Sequence, residues 1–340
     1  MAEGRRQRWP AKHEARGSFM KKGNGVAVGN DGWLYWVGRT NEVEAFYGDT
    51  ALSRRILKRW ARLIAKRARR LDALGIHHVH AVVPDKLAVY PDMLGRAFPG
   101  LDEPPCQRLA QCVAEVSDAP MIDLLPPLRA ARSDEPVYLR TDTHWTYRGY
   151  LAAYRTLCEA LHAPVAEHVF TGTQLRERFT FDLGEKLHPP VDEEYVAYDF
   201  PRGAERIDVN ALVRLRESRR AVRPRGLFVG SRVVMRNAAA ADPRRVVIFG
   251  DSYIYSPGAR LTAMLSETFG EVHAIWSANL DWSYIEAIRP DIFIFEIAER
   301  FLRKVPTDRI DIDTFAKRRA KRALRPTLSK WIRQQLNRMG

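Results

Sequence analysis

At 340 residues, 46% of them apolar and 28% charged, the chain is long and apolar enough to bury a large core, which excludes a disordered or low-complexity polypeptide. The net charge of +14 sits at the ends, because residues 1–22 hold seven Lys/Arg against two acids and residues 303–340 hold twelve against three, so no nucleic-acid-binding body is indicated. Cys106, Cys112 and Cys158 lack CxxC spacing, which argues against a disulfide framework or zinc site, and the residues shown lead one to expect neither a signal peptide nor a membrane span.

A basic stretch (1–28) precedes "GNDGWLYWVG" (29–38), which reads as a turn followed by an aromatic strand. "RRILKRWARLIAKRARR" (54–70) predicts a helix with Ile56, Leu57, Trp60, Leu63 and Ile64 on one face and nine basic residues over the rest. Such a helix suits an anionic membrane or an acidic polymer as well as it suits a plain solvated face. "HHVHAVVPDK" (77–86) predicts a buried strand; His78 and His80 share one of its faces, but no ligand set completes a metal site, and no metal is expected.

Residues 107–116 fit a helix and "MIDL" a short strand, and "PVYLRTDTHW" predicts a strand leading into "TDTHWTYRGY" (141–150). Helical spacing follows through Tyr147, Leu151, Tyr154, Leu157 and Leu161, so Asp142 and His144 are expected in a strand-to-helix loop. Residues 164–240 are irregular, with short strands at "EYVAYDF" and "GLFVGSRVVM", and read as an insertion or a sheet extension. "RRVVIFGDSYIYSPGARLTAMLSETFG" (244–270) predicts a strand, a Gly-Asp-Ser turn and a helix begun by Pro257. The strand "EVHAIW", the helix "WSYIEAI" and the buried strand "DIFIFE" (291–296) come next. This alternation predicts an α/β domain over 29–302 with a mainly parallel sheet covered on both faces, followed by a basic helical tail, 303–340.

Two loops carry reactive residues. Ser252, after a strand and a Gly-Asp turn, is the candidate nucleophile, and the backbone N–H groups after it are candidate oxyanion donors. Serine needs a base and the base an orienting acid, roles that fit His144 and Asp142. Trp145 is expected to wall the site, and Asp251 to brace the turn through backbone hydrogen bonds. Tyr147, Tyr253, Tyr255, Trp276 and Trp282 are further aromatics close to the expected triad.

"DTHW" and "FGDSY", in that order, resemble the motifs of the alginate O-acetyltransferases of the AlgJ/AlgX type within the SGNH hydrolase superfamily. "DGWLYW", "VVPDKLAVYPDML", "FDLGEKL" and "PDIFIFEIAERFL" add softer similarity in the family's order. The resemblance implies a flavodoxin-like SGNH α/β/α sandwich and a Ser252, His144, Asp142 triad passing an acetyl group through an acyl-serine onto a hydroxyl of a bacterial exopolysaccharide or capsular glycan. It calls for no bound cofactor and names no acetyl donor, though a membrane-bound donor protein would be a natural partner. Tyr253 and Asn279 are the oxyanion candidates, and Arg300 is either site-shaping or a structural partner of Glu296. A carbohydrate esterase and a non-catalytic glycan-binding scaffold are the alternatives. The family usually works in the periplasm, after a signal sequence or anchor; either the start shown omits such a segment, or this member is expected to be cytoplasmic or held at an anionic membrane surface by helix 54–70 and the basic tails.

Overall fold

The computed structural model describes residues 25–38, 42–200, 202–218, 226–254 and 261–324. Most of the basic N-terminal stretch, residues 325–340, Tyr255 and Pro257 lie outside the described residues.

An antiparallel hairpin, β1 (Val26–Val28) and β2 (Leu34–Trp36), leads through α1 (Val43–Tyr47) to the long basic helix α2 (Ala51–Ala73). Thr50 and Ser53 cap α2 reciprocally, each hydroxyl accepting from the other's backbone N–H at 3.0 Å. Then come β3 (His77–Val83), α3 (Lys86–Val89), α4 (Pro105–Ala114), β4 (Met121–Asp123), α5 (Leu125–Ala131) and α6 (Tyr147–Ala160). An antiparallel ribbon, β5 (Thr173–Thr180) and β6 (Asp192–Asp199), precedes β7 (Glu205–Val209), α7 (Ala211–Glu217) and β8 (Arg232–Arg236). The chain continues through β9 (Asp242–Gly250), α8 (Leu261–Thr268), β10 (Phe269–Trp276), α9 (Trp282–Ile288), β11 (Ile292–Ala298) and α10 (Ile312–Leu324).

Seven strands form the central sheet in the order β4-β3-β11-β9-β10-β8-β7. The first five run parallel, and β8 and β7 extend the sheet antiparallel. Residues 164–240 therefore supply both a separate ribbon, β5–β6, and a sheet extension, β7–β8.

The centre of the sheet is apolar on both faces because both faces are covered. Val246, Ile248, Ile292 and Ile294 point into the larger core, with α6 and α8. Their neighbours Val247, Phe249, Phe293 and Phe295 point into the opposite core, with α2, α4 and α9. Period-two alternation thus distributes one apolar run between two helical layers. The result is the mainly parallel, doubly covered sheet that the strand-helix alternation predicts and the α/β/α sandwich that the family resemblance implies.

Three local expectations are corrected. The strand expected at "PVYLRTDTHW" is not in the sheet: its main chain folds back on itself, with Leu139 N bonded to His144 O at 3.2 Å, Thr146 N to Val137 O at 3.0 Å, and one isolated bridge, Tyr138 to Trp145. On α2, Arg67 is not solvated but buried, its guanidinium 2.7 Å from Asp308. Arg300 does not pair with Glu296 across a helical turn, since Glu296 lies in β11; its partner is Asp85, at 3.3 Å. Beyond residue 303, α10 packs Ile312 into the α2-side core and sets Ala316 and Ala320 against Leu212 and Leu215 of α7. Among the described residues, no helix is long and apolar enough to cross a membrane.

Candidate active site

Ser252 stands in a turn just beyond the carboxyl end of β9, which lies between β11 and β10. This is the edge of a parallel sheet where open α/β proteins place their ligands. The turn is tight for a local reason. A Cβ on Gly250 would meet Glu296 Oε2 at 2.5 Å, so glycine lets β9 pass close to β11. Asp251 then ties the turn down, accepting from Tyr253 N at 3.0 Å and from Ala298 N at 2.7 Å, while its own N–H donates to Glu296 Oε2 at 3.0 Å. Burial, and then the Asp251 charge, hold the Glu296 carboxyl well above the usual carboxylate range.

The structure brings the chain's distant loop to this turn. His144 Nε2 is 2.7 Å from Ser252 Oγ, and His144 Nδ1 is 2.7 Å from Asp142 Oδ1. Asp142 Oδ1 also accepts from the backbone N–H of His144 at 3.1 Å. The three residues are largely buried but not sealed, with the His144 side chain 16% exposed.

The loop carrying Asp142 and His144 has no sheet ladder, so much of its polar backbone is satisfied by side chains and backbone from other segments. The Glu193 carboxylate accepts from Arg140 N at 2.8 Å and Thr141 N at 2.7 Å. Asp182 accepts from Thr143 N at 2.9 Å and Thr143 Oγ1 at 2.7 Å. Tyr253 Oη donates to Thr143 O at 2.5 Å, and the Lys86 ammonium reaches three further carbonyls of the same loop. Thr141 O accepts from Leu183 N and Gly184 N, both at 3.0 Å. Burial, then the nearby Asp142 charge, raise the Asp182 carboxyl.

The other expected site residues fall in different places. Tyr253 backs the imidazole, ring centroids 5.1 Å apart, but its N–H is taken by Asp251, so that donor does not stand open to an oxyanion. Trp145 is a buried floor, packed on Tyr138, Tyr150 and Tyr253, rather than an exposed wall. Arg300 supports Tyr253 from behind, Nη1 3.4 Å from its hydroxyl. The structure ties Asn279 elsewhere: its side-chain oxygen accepts from Thr307 N at 2.9 Å and Asp308 N at 3.1 Å. Trp276 packs on Phe228, Trp282 lies under the Arg70 guanidinium, and Tyr147 stacks on Tyr198. Sequence reasoning did not single out Lys86, Asp182 or Glu193, although Lys86 and Asp182 fall in stretches that carry the softer resemblance.

Among the described residues, Asp142, His144 and Asp182 form the one group whose possible ligand atoms lie within 4.8 Å of one another. Asp142 and His144 are hydrogen-bonded to each other and lead on to the Ser252 hydroxyl, while Asp182 accepts from Thr143. A cavity of about 300 Å³ opens beside the loop, between it, the start of α6 and the β5–β6 ribbon. Tyr138, Arg140, Tyr147, Arg148, Arg176 and Tyr198 are among the residues that line it.

Comparison with known proteins bears on the fold and the family resemblance. Residues 26–188, which contain Asp142 and His144, match the family model described as SGNH hydrolase-like domain, acetyltransferase AlgX. The probable alginate O-acetylase AlgJ of Pseudomonas aeruginosa is 34% identical over 145 residues, 42% of this chain and 34% of that protein. The chain thus spans about a third of the length of the curated relatives it matches. The O-acetyltransferase domain of Pseudomonas putida AlgJ superposes with a TM-score of 0.55 at 18% identity, covering 88% of this chain and 99% of that domain. A DHHW family protein from Eubacterium siraeum gives 0.54 at 17% identity, covering 83% and 93%. The chain has an SGNH-like fold and resembles, in the sequence of its N-terminal half, the alginate O-acetyltransferases of the AlgJ/AlgX type.

Proposed function

We propose that the chain is a serine-dependent O-acetyltransferase that passes an acetyl group through acyl-Ser252 to a hydroxyl of a polysaccharide. The observation that carries this reading is the continuous chain from Asp142 through His144 to Ser252, with both contacts at 2.7 Å. Asp142 holds Nδ1 as the N–H, which leaves Nε2 as the base that takes the Ser252 proton when Oγ attacks the acetyl carbonyl. The tetrahedral adduct collapses to acyl-serine, and the donor's leaving oxygen or sulfur takes the proton from Nε2. In the second half, an acceptor hydroxyl gives its proton to Nε2, its oxygen takes the acetyl group, and Ser252 leaves with the proton restored.

The resemblance to alginate O-acetylases supports a glycan acceptor, and the partly exposed His144 leaves the triad accessible to one; the cavity beside the loop, lined by tyrosines, arginines and the acids Glu135, Glu193 and Glu194, adds polar groups next to the site. The solvent face of α2, with Arg55, Lys58, Arg59, Arg62, Lys66 and Arg69 exposed, supports docking on an anionic membrane surface near a membrane-bound acetyl donor.

The test is acetyl transfer by purified protein from an activated acetyl ester to a panel of oligosaccharides, with Ser252→Ala as control. The reading predicts an acetylated oligosaccharide whose formation Ser252→Ala abolishes without lowering the melting temperature. Acetate release indifferent to every oligosaccharide would make the protein an esterase, and activity surviving in Ser252→Ala would remove the acyl-serine.

A further inference from the structure

Lys86 opens α3 just past the end of β3 and is buried, 5% exposed. A buried ammonium must find partners for three N–H donors. It finds three carbonyl oxygens, all in the loop that carries the Asp-His pair: Leu139 O at 2.7 Å, Arg140 O at 2.8 Å and Asp142 O at 2.7 Å. The last is the main-chain oxygen of the residue whose carboxylate aims His144. Trp33 and Tyr35 of the β1–β2 hairpin place their rings 5.6 and 5.7 Å from the ammonium and confine it from the other side.

We propose that Lys86 is a positioning residue for acyl transfer: by gripping the 139–142 backbone it fixes where the Asp142–His144 pair stands relative to Ser252. The inference rests on the reading of Ser252 as the acylated residue. Arginine carries the same charge but spreads its donors over a planar fork, so it does not set one nitrogen against three carbonyls.

The clamp is also sensitive to pH. Burial pulls the Lys86 ammonium down to about 7, while Asp142, Glu193 and Asp182 favour its charge and Arg300 opposes it. A neutral amine keeps two donors for three acceptors, so the loop loosens as the lysine loses its proton.

The test is the rate at which a serine-reactive phosphonate labels Ser252, followed by intact-protein mass across a pH series, in wild type, Lys86→Met and Lys86→Arg. Labelling needs no acceptor, so it is independent of the glycan. Lys86→Met is expected to label on the order of a hundredfold more slowly, the cost of roughly 1 Å of misplacement, and to lower kcat but not KM for an acetyl ester. Wild type is expected to lose labelling rate as pH rises past about 7, and Lys86→Arg to label slowly without that alkaline limb. Lys86→Met labelling at the wild-type rate would overturn the inference. Lys86→Arg labelling at the wild-type rate would overturn it as well, even if Lys86→Met does not fold, whereas a wild-type rate that stays level into the alkaline range would overturn the pH sensitivity of the clamp. Wild type that takes no label at any pH overturns the acyl-serine reading, and this inference with it.

Discussion

Asp142 performs two tasks with one oxygen, accepting from the backbone N–H of His144 and holding its ring Nδ1. The first shapes the loop and the second selects the tautomer. Asp142→Asn keeps an acceptor for the backbone but can present an N–H to the ring, which puts the imidazole proton on the wrong nitrogen. Acetyl-ester turnover is expected to fall by about 10⁴ with the melting temperature nearly unchanged. Steady-state kinetics beside a thermal melt checks this; an unchanged kcat would contradict it. Ser252, His144 and Asp142 were legible in the sequence because a histidine two residues after an acid, and a serine after a Gly-Asp turn, are chemically pointed local patterns. Lys86, Asp182 and Glu193 were not. Each meets the motif loop from more than 35 positions away, and lone charged residues that meet only after folding leave no local periodicity to read.

The element that sets the loop is α6, which starts two residues after Trp145 with Thr146 as its cap, the side chain accepting from Gly149 N at 3.3 Å. Gly149 permits the loop and helix to touch: a Cβ there would meet Val137 O at 2.2 Å and Trp145 Cβ at 2.8 Å. Gly149→Ala is therefore expected to cost at least about 1–3 kcal/mol, since backbone must move to admit the methyl, and to slow Ser252 labelling because Trp145 and His144 move with it. Denaturant unfolding and phosphonate labelling measure the two effects. A stable, fully reactive Gly149→Ala would mean that the loop tolerates displacement. The same region shows why "PVYL" misled: its alternation suits a strand, yet Val137 N donates to the Tyr90 hydroxyl at 2.9 Å and Leu139 N to His144 O, so these N–H groups are satisfied by a distant side chain and by the loop itself instead of by a sheet neighbour. The strands of the core were easier to read, because Val246–Phe249 and Ile292–Phe295 are continuous apolar runs that only a doubly covered sheet can bury.

At the scale of the whole molecule, long-range ties hold the layers around the site. The clearest is Arg67 of α2, which reaches Asp308 beyond β11 at 2.7 and 2.9 Å and Ala278 O after β10 at 2.8 Å. The guanidinium is fully buried and lies 4.3 Å from the centroid of the Phe295 ring. Arg67→Met leaves the Asp308 carboxylate without its guanidinium, with Leu280 N still donating to it at 3.0 Å, and is expected to destabilise the fold by about 3–5 kcal/mol, while Arg67→Met with Asp308→Asn recovers part of the loss because the amide is uncharged, keeps an acceptor for Leu280 N and suits the left-handed backbone at this position. Chemical denaturation of the two variants tests the tie, and equal stability of single variant and wild type would contradict it. Sequence periodicity placed Arg67 on the basic surface of the helix. One partner 241 positions away converts it into a buried strut.

The account as a whole turns on whether an acetyl group resides on Ser252 during turnover. Rapid acid quench of the protein with an isotopically labelled acetyl ester, followed by peptide mass spectrometry, measures this directly. The account predicts labelled acetyl on the peptide containing Ser252, present in wild type, absent in Ser252→Ala and discharged when an accepting oligosaccharide is added. Acetyl transfer to the sugar with no label on that peptide at any quench time would contradict it.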